Sequence, residues 1–167
     1  MNRRNIALVL MAGVALSACA TKAPKQLPPD PGGPVASGQT GSNAPTPGSQ
    51  ADFLAQMMGR DTIYFDTDRY NIDSEDAAAL AAQAQWLLQY PGKRATIEGH
   101  CDERGTREYN LALGERRANS AANYLISLGV SADRLSTLSY GKERPVALGS
   151  DESSWAKNRR AVTITID

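Results

Sequence analysis

The sequence predicts an α/β fold: a two-layer sandwich with a mixed sheet, built in the order β-α-β-α-β-β. Between residues 61 and 167, segments that alternate like strands and segments with helical spacing follow one another. Strands separated by helices favour parallel pairing through right-handed crossovers, and the closing strand is expected to add an antiparallel partner. About 105 residues are enough for one compact core.

The first predicted strand covers residues 62–65, whose β-branched and aromatic side chains suit a pleated sheet. An apolar cluster before it is expected to pack on the domain as a helical turn, with a transient binding element as the alternative. Its members are Phe53, Leu54, Met57 and Met58. A helix over residues 73–89 follows, because Asp73 suits its positive end and Pro91 stops it. The side chains expected to be buried on this helix are Leu80, Ala84, Trp86, Leu87 and Leu88.

Residues 94–101 alternate between apolar and polar side chains and predict a second strand. Ile97 and Cys101 share one face of it, so Cys101 is expected to be buried as a small apolar side chain. His100 points to the other face. It is therefore not expected to reach the Cys101 sulfur.

The second half of the domain contains a longer helix and two strands. Residues 106–128 are amphipathic and end before Gly129, a common position for glycine after a helix. Strands are predicted at residues 134–139 and 161–166, and a helical turn at residues 152–158. The side chains expected to be buried on the long helix are Leu111, Ala118, Ala121, Ala122, Leu125 and Leu128.

The N-terminus predicts export and lipid anchoring. Two arginines precede an apolar run of about 11 residues, shorter than the roughly 20 that span a membrane, so residues 1–18 are predicted to be a signal peptide. Leu16, Ser17 and Ala18 lead to Cys19 as in a bacterial lipobox, which predicts lipidation of Cys19. In that class of lipoproteins, Ala20 in place of aspartate implies the outer membrane.

The segment after the lipobox predicts a disordered tether. Residues 19–50 are rich in Pro, Gly, Ser, Thr and Gln and have few large apolar side chains, so they cannot build a core. The globular domain is expected to occupy residues 51–167 and to face the periplasm.

Basic and acidic residues number 18 each, so the overall charge does not favour nucleic acid as a partner. The contexts of Cys19 and Cys101 do not favour a disulfide.

The densest polar motif begins at the end of the second strand. It reads Gly-His-Cys-Asp-Glu-Arg-Gly over residues 99–105, then Tyr109-Asn110, then Leu113-Gly-Glu-Arg-Arg117-Ala. This motif resembles the peptidoglycan-binding signature of the OmpA-like domain family, and segments around it are similar to the lipoproteins of the Tol–Pal system. The resemblance covers residues 61–167. Two departures are Cys101, where the family commonly has threonine, and Thr67, where a large apolar residue is frequent.

The resemblance implies noncovalent binding to peptidoglycan, through the diaminopimelate of the uncrosslinked stem peptide. Asp102 and Arg117 match the family's aspartate and arginine, which bind the ammonium and the carboxylate of that side chain. Further groove residues carried over from the family are Asp68, Arg104, Thr106, Tyr109, Asn110 and Leu113. The resemblance also implies TolB and other Tol proteins as partners, and a role in envelope integrity and in constriction at division.

Other functions fit the residues less well. A Cys–His dyad is disfavoured by the strand geometry, and a zinc site needs more ligands than His100 and Cys101 supply. A wall hydrolase would need two carboxylates on opposite sides of a sugar, whereas Asp102 and Glu103 are adjacent. We therefore expect no catalysis, no cofactor and no metal. A wall-binding lipoprotein without a Tol partner remains an alternative, and a hydrolase is the alternative from another class.

Overall fold

The computed structural model describes residues 44–166. The predicted signal peptide, the lipobox at Cys19 and the tether up to residue 43 lie outside these residues. The chain forms α1 (Gln50–Met57), β1 (Thr62–Tyr64), α2 (Ser74–Gln89), β2 (Arg94–His100), α3 (Arg107–Ser127), a 3₁₀ turn (Ala132–Arg134), β3 (Leu135–Gly141), α4 (Glu152–Asn158) and β4 (Arg160–Ile166).

The strands form one mixed sheet in the order β1-β4-β2-β3. β2 and β3 are parallel, whereas β4 runs antiparallel to both β1 and β2. The predicted α/β fold with a mixed sheet is therefore confirmed. β4 lies between β1 and β2, so these two strands are not neighbours, and the closing strand is central in the sheet.

The core lies between the sheet and the helices, and most of the predicted core residues are buried there. Trp86 is buried and contacts Phe53 edge to face, which attaches α1 to α2. Two predictions are wrong, because Leu88 is 47% exposed and Leu128 is 37% exposed, and Leu111 is only half-buried. Leu88 follows the buried Leu87 around the helix and faces solvent, and Leu128 is the C-cap of α3, beyond its last turn.

The apolar cluster before β1 forms helix α1, but only part of it is buried. Phe53 and Met57 enter the core, whereas Leu54 and Met58 are exposed. The spacing of four residues places the buried pair on one face of the helix. The prediction that this cluster packs on the domain is confirmed for these two residues.

Helix α3 approaches strand β2 closely where two glycines face each other. A Cβ on Gly99 would collide with the backbone of Gly114, and a Cβ on Gly114 would collide with Ser139 Oγ. Because neither residue has a side chain, α3 can lie directly on β2. This contact sets the position of Arg117, one turn further along α3, relative to the end of β2.

All four α-helices among residues 44–166 begin at a side chain that accepts a hydrogen bond from the backbone. Asp73 accepts from the amides of Glu75 and Asp76 at the start of α2, as its position in the sequence predicts. Thr106 does the same for α3, where its Oγ1 accepts from the amide of Tyr109.

Among residues 44–166, the structure contains no helix with the length and apolar character needed to cross a membrane.

Candidate binding groove

A cavity of about 260 Å³ opens where the C-terminal end of β2, the N-terminal half of α3 and the loop after β1 meet. Its lining includes seven residues singled out from the sequence: Asp68, Asp102, Arg104, Tyr109, Asn110, Leu113 and Arg117. Thr106 is not part of the lining. Because it caps α3, its side chain is engaged by the helix backbone, and its predicted contact with the ligand stays a prediction.

Asp102 is buried in the groove and held by two arginines. Arg104 contacts both of its oxygens, with Nη2 at 2.7 Å from Oδ2 and Nε at 3.1 Å from Oδ1. Arg159 Nη1 lies 3.5 Å from Oδ2. Burial alone would raise the pKa of Asp102, but hydrogen bonds from Arg104 and then Arg159 outweigh it and hold the pKa below its usual range. Asp102 is therefore ionised at neutral pH.

Arg117 is fully buried, and it is held by main-chain carbonyls rather than by an acid. Its Nε donates to Arg69 O at 2.9 Å, Nη1 to His100 O at 2.8 Å and Nη2 to Asp66 O at 3.0 Å. A guanidinium has five N–H groups, so each terminal nitrogen keeps a second N–H beyond these bonds. Arg117 thus joins the loop after β1 to the end of β2 and fixes a positive charge at the base of the groove.

Asp68 and Tyr109 form another part of the groove lining. Asp68 has a positive φ of 55°, and its Oδ1 accepts a hydrogen bond from Tyr109 OH at 3.1 Å. Asn110 is buried, and its Nδ2 donates to the carbonyls of Arg104 and Thr106. Asn110 therefore fixes the turn that carries Arg104, whose own guanidinium lies 4.2 Å above the Trp155 ring.

Four lining residues were not predicted as site residues: Thr67, Cys101, Gly105 and Arg159. Thr67 Oγ1 accepts from Arg104 Nη2 at 3.2 Å, so it supports the wall of the groove. Arg159 is buried, and besides Asp102 it contacts Glu152 Oε1 at 2.6 Å. The charge pattern around Arg159 does not predict that this residue lies in the groove. It is separated from Asp102 by 57 residues, and only the central position of β4 brings the two together.

The groove does not provide an activated nucleophile. Cys101 is buried as expected, its Sγ donates to Asn110 O at 3.3 Å, and burial raises the pKa of its thiol to about 11. His100 stacks on Tyr140, and burial, followed by the charges of Arg160 and Arg144, lowers its pKa to about 4. Within residues 44–166, no group of three or more His, Cys, Asp or Glu side chains is arranged to hold a metal ion.

The geometry can therefore bind a ligand end that carries both charges. An ionised carboxylate at Asp102 attracts an ammonium group, and the remaining N–H groups of Arg117 suit a carboxylate. Both charges sit in a partly enclosed space, where electrostatic interactions are less screened than on the open surface. Leu113 adds apolar surface to the lining.

Comparison with known proteins defines the class of the domain. The model of the OmpA family matches residues 64–159. The crystal structure of the peptidoglycan-associated lipoprotein from Burkholderia pseudomallei covers 63% of this chain and 89% of its own, with a TM-score of 0.62 and 47% identity. The C-terminal domain of MotB from Helicobacter pylori shares the fold at a TM-score of 0.58, with 21% identity over 64% of this chain and 84% of its own. These matches are those of an OmpA-family domain.

Relatives that match nearly the whole chain define the branch of the OmpA family. A peptidoglycan-associated lipoprotein of Rhizobium meliloti (strain 1021) is 51% identical over 162 residues, which is 97% of this chain and 88% of that protein. The protein of the same name in Mesorhizobium japonicum is 48% identical over 98% of this chain and 92% of its own length. The chain belongs to the OmpA family and, within it, to the peptidoglycan-associated lipoproteins.

Proposed function

We propose that the protein binds peptidoglycan noncovalently through the diaminopimelate of the stem peptide and so tethers the outer membrane to the cell wall. The names of its near-full-length relatives support the wall as ligand. The observation that carries the proposal is the placement of Asp102 and Arg117 in one cavity. The far end of the diaminopimelate side chain carries an ammonium and a carboxylate on one carbon, which matches this pair of charges.

Ligand binding requires Arg104 to give up part of its contact with Asp102. In the unliganded groove Arg104 occupies both oxygens of that carboxylate. The Arg104 side chain is 39% exposed, so water can solvate its guanidinium when an ammonium replaces it at Asp102. The Trp155 ring and Thr67 remain as partners for the displaced side chain.

We infer that binding occurs without turnover. A glycosidase needs one carboxylic acid with a raised pKa to protonate the leaving group. Here hydrogen bonds from Ser150 and then Trp155 lower the pKa of Glu103, and the pKa of Asp102 is also lowered. Neither group therefore holds a proton at neutral pH, and binding is the function that the groove supports.

The anchor and the tether complete the proposal. Cys19 would carry the lipid that holds the protein in the outer membrane, and the tether that precedes α1 would span the distance to the wall. One acyl chain gives only marginal membrane binding, whereas the three chains usual for bacterial lipoproteins would hold the protein durably. The domain would then bind the wall from the periplasmic side.

Membership of the peptidoglycan-associated lipoproteins supports a place in the Tol–Pal system, with TolB as a direct partner and a role in envelope constriction. Co-purification of TolB with the full-length protein tests this part. Recovery of TolB at a defined ratio is expected. If TolB is absent while the wall is still bound, the protein is a wall-binding lipoprotein that acts without Tol proteins.

The ligand is tested by calorimetric titration with two stem peptides, one carrying meso-diaminopimelate and one carrying lysine at the same position. Lysine keeps the ammonium but lacks the carboxylate that Arg117 would bind. The lysine peptide is expected to bind at least tenfold more weakly, since a charge-assisted hydrogen bond is worth about 1.5 kcal/mol or more. Equal affinities would contradict the assignment of Arg117.

A further inference from the structure

Asp102 is paired with two arginines, and the two pairs differ in how firmly they are held. The Arg159 side chain is 7% exposed, and its guanidinium also donates to Phe65 O at 2.9 Å and to Glu152 Oε1 at 2.6 Å. Its contact with Asp102 is long, at 3.5 Å. The Arg104 side chain is 39% exposed, yet it makes the shorter contacts with the same carboxylate. Arg159 is therefore a fixed partner of Asp102, whereas Arg104 is a partner that water can reach.

The turn that carries Arg104 is held by main-chain atoms rather than by its side chain. The amide of Arg104 donates to Asp102 Oδ1 at 3.1 Å, and its carbonyl accepts from Asn110 Nδ2 at 2.7 Å. Any residue other than proline can make these two bonds at position 104, because every such residue has the same amide and carbonyl. The guanidinium can therefore leave Asp102 while the turn keeps its shape.

The Arg104 guanidinium has further partners beside Asp102. It lies 4.2 Å above the Trp155 ring, and its Nη2 donates to Thr67 Oγ1 at 3.2 Å. The hydrogen bond to Asp102 is the main cause of its raised pKa, and the charge of Glu152 adds to the rise. A guanidinium that stacks on an aromatic ring keeps N–H groups for water or for a carboxylate. After displacement from Asp102, the charge of Arg104 is thus stabilised by the ring, by Glu152 and by water.

The contact between Arg104 and Asp102 controls which ligands can use the carboxylate. A neutral or anionic group cannot replace the guanidinium, because it brings no positive charge. An ammonium can replace it, but the exchange of one ion pair for another gains little free energy by itself. A ligand therefore gains affinity only when a second contact, such as a carboxylate on Arg117, accompanies the exchange. This requirement excludes simple cations, which an unpaired carboxylate in the groove would attract.

We propose that Arg104 is an internal competitor of the ligand's ammonium, which lowers the affinity for every cation and leaves the groove selective for a ligand end with both charges. This inference rests on the proposed function, because it concerns the same groove and the same ligand. Arg104 lines the groove, but its effect is opposite to that of a binding residue. Removal of its charge strengthens the binding of each ligand that brings an ammonium to Asp102.

The test is a calorimetric titration of the full-length chain and of Arg104→Met with three stem peptides. Methionine keeps an unbranched side chain beside Trp155 and removes the charge. The peptides carry meso-diaminopimelate, lysine, or 2-aminopimelate, which has the distal carboxylate but lacks the ammonium. Arg104→Met is expected to bind the first two peptides at least about fivefold more tightly than the wild type, and the third no more tightly.

Arg107→Met is the matched control. Arg107 lies at the start of α3, its side chain is 62% exposed, and it pairs with Glu143 rather than with a groove residue. Its substitution removes one positive charge from the same helix end as Arg104. We expect each of the three affinities to change by less than about twofold, since an exposed charge contributes little.

A second measurement follows the contact itself in the ¹⁵N-labelled wild type. The Nε–H group of Arg104 donates to Asp102 Oδ1 at 3.1 Å, which protects its hydrogen from exchange with water. Saturation with the diaminopimelate peptide is expected to accelerate this exchange at least about tenfold, because the ammonium takes the place of the guanidinium. This readout does not depend on the folding of any variant.

Weaker or unchanged binding of the diaminopimelate peptide to Arg104→Met would overturn the proposal, as would unchanged Nε–H exchange in the saturated complex. Equal strengthening with 2-aminopimelate would also overturn it, because the gain would not come from the ammonium. In these cases the proposed function stands, provided that the wild type prefers the diaminopimelate peptide to the lysine peptide. If the wild type shows no such preference, the proposed function is wrong and the role of Arg104 falls with it.

Discussion

At the scale of single residues, the groove depends on two buried charges that are stabilised by different groups. Asp102 is balanced by arginines and stays ionised, whereas Arg117 is held by three carbonyl oxygens. The sequence motif predicts both side chains, but it does not predict this difference. Arg117 therefore serves the fold as well as the ligand, and its removal is a poor test of binding alone.

Arg117→Ala is expected to destabilise the domain by about 3 kcal/mol or more, because it leaves a cavity and three carbonyls without their donor. Urea denaturation measures the effect. Arg116→Ala is the matched control: Arg116 is the exposed neighbour on α3, and its loss should stay within about 0.5 kcal/mol. Similar effects of the two substitutions would show that the carbonyl contacts of Arg117 contribute little.

His100 predicts a pH dependence of stability. It is the chain's single histidine, it is 2% exposed, and neither ring nitrogen makes a hydrogen bond. Its pKa falls from 6.5 to about 4 in the folded state, so the unfolded chain binds more protons between these values. The free energy of unfolding should therefore decrease as the pH drops from 6.5 toward 4. The expected loss is about 3 kcal/mol, because each unit of pKa shift corresponds to about 1.4 kcal/mol.

The measurement is the free energy of unfolding at several pH values for the wild type and for His100→Gln, which cannot be protonated in this range. The wild type is expected to lose more stability than the variant over this interval. Parallel curves would mean that His100 is not buried in its neutral form.

At the scale of elements, helix α3 and strand β2 carry most of the groove, and their contact at Gly99 and Gly114 sets its width. The two-residue period predicts β2, and the helical period predicts α3, so both elements could be recognised in the sequence. The boundaries are less accurate. β1 ends at Tyr64 rather than at residue 65, and β3 extends to Gly141 rather than to residue 139.

Gly99→Ala is expected to destabilise the domain by about 2 kcal/mol, because the new methyl group would collide with the backbone of Gly114 and push α3 away from β2. Thermal denaturation measures this loss. Gly92→Ala is the control, since a Cβ on Gly92 meets no atom within 4 Å. Unchanged stability of Gly99→Ala would show that the approach of α3 to the sheet is not tight.

At the scale of the whole molecule, local patterns predict the fold class but not the order of the strands. Nothing in the alternation of residues 161–166 indicates that β4 lies between β1 and β2. That position brings Arg159 to Asp102, so the missed groove residue and the missed strand order have one cause. Leu88 and Leu128 are mistakes of another kind, because an apolar residue at the margin of a helical face can remain exposed.

The central claim is tested most directly by sedimentation of the soluble domain, residues 44–167, with purified diaminopimelate-type peptidoglycan. The wild type should pellet with the wall. Asp102→Asn, after a melting curve shows that it is folded, should stay in the supernatant, while the exposed control Asp133→Asn should pellet like the wild type. If the wild type does not pellet, or if Asp102→Asn pellets equally well, the groove is not the site of wall binding.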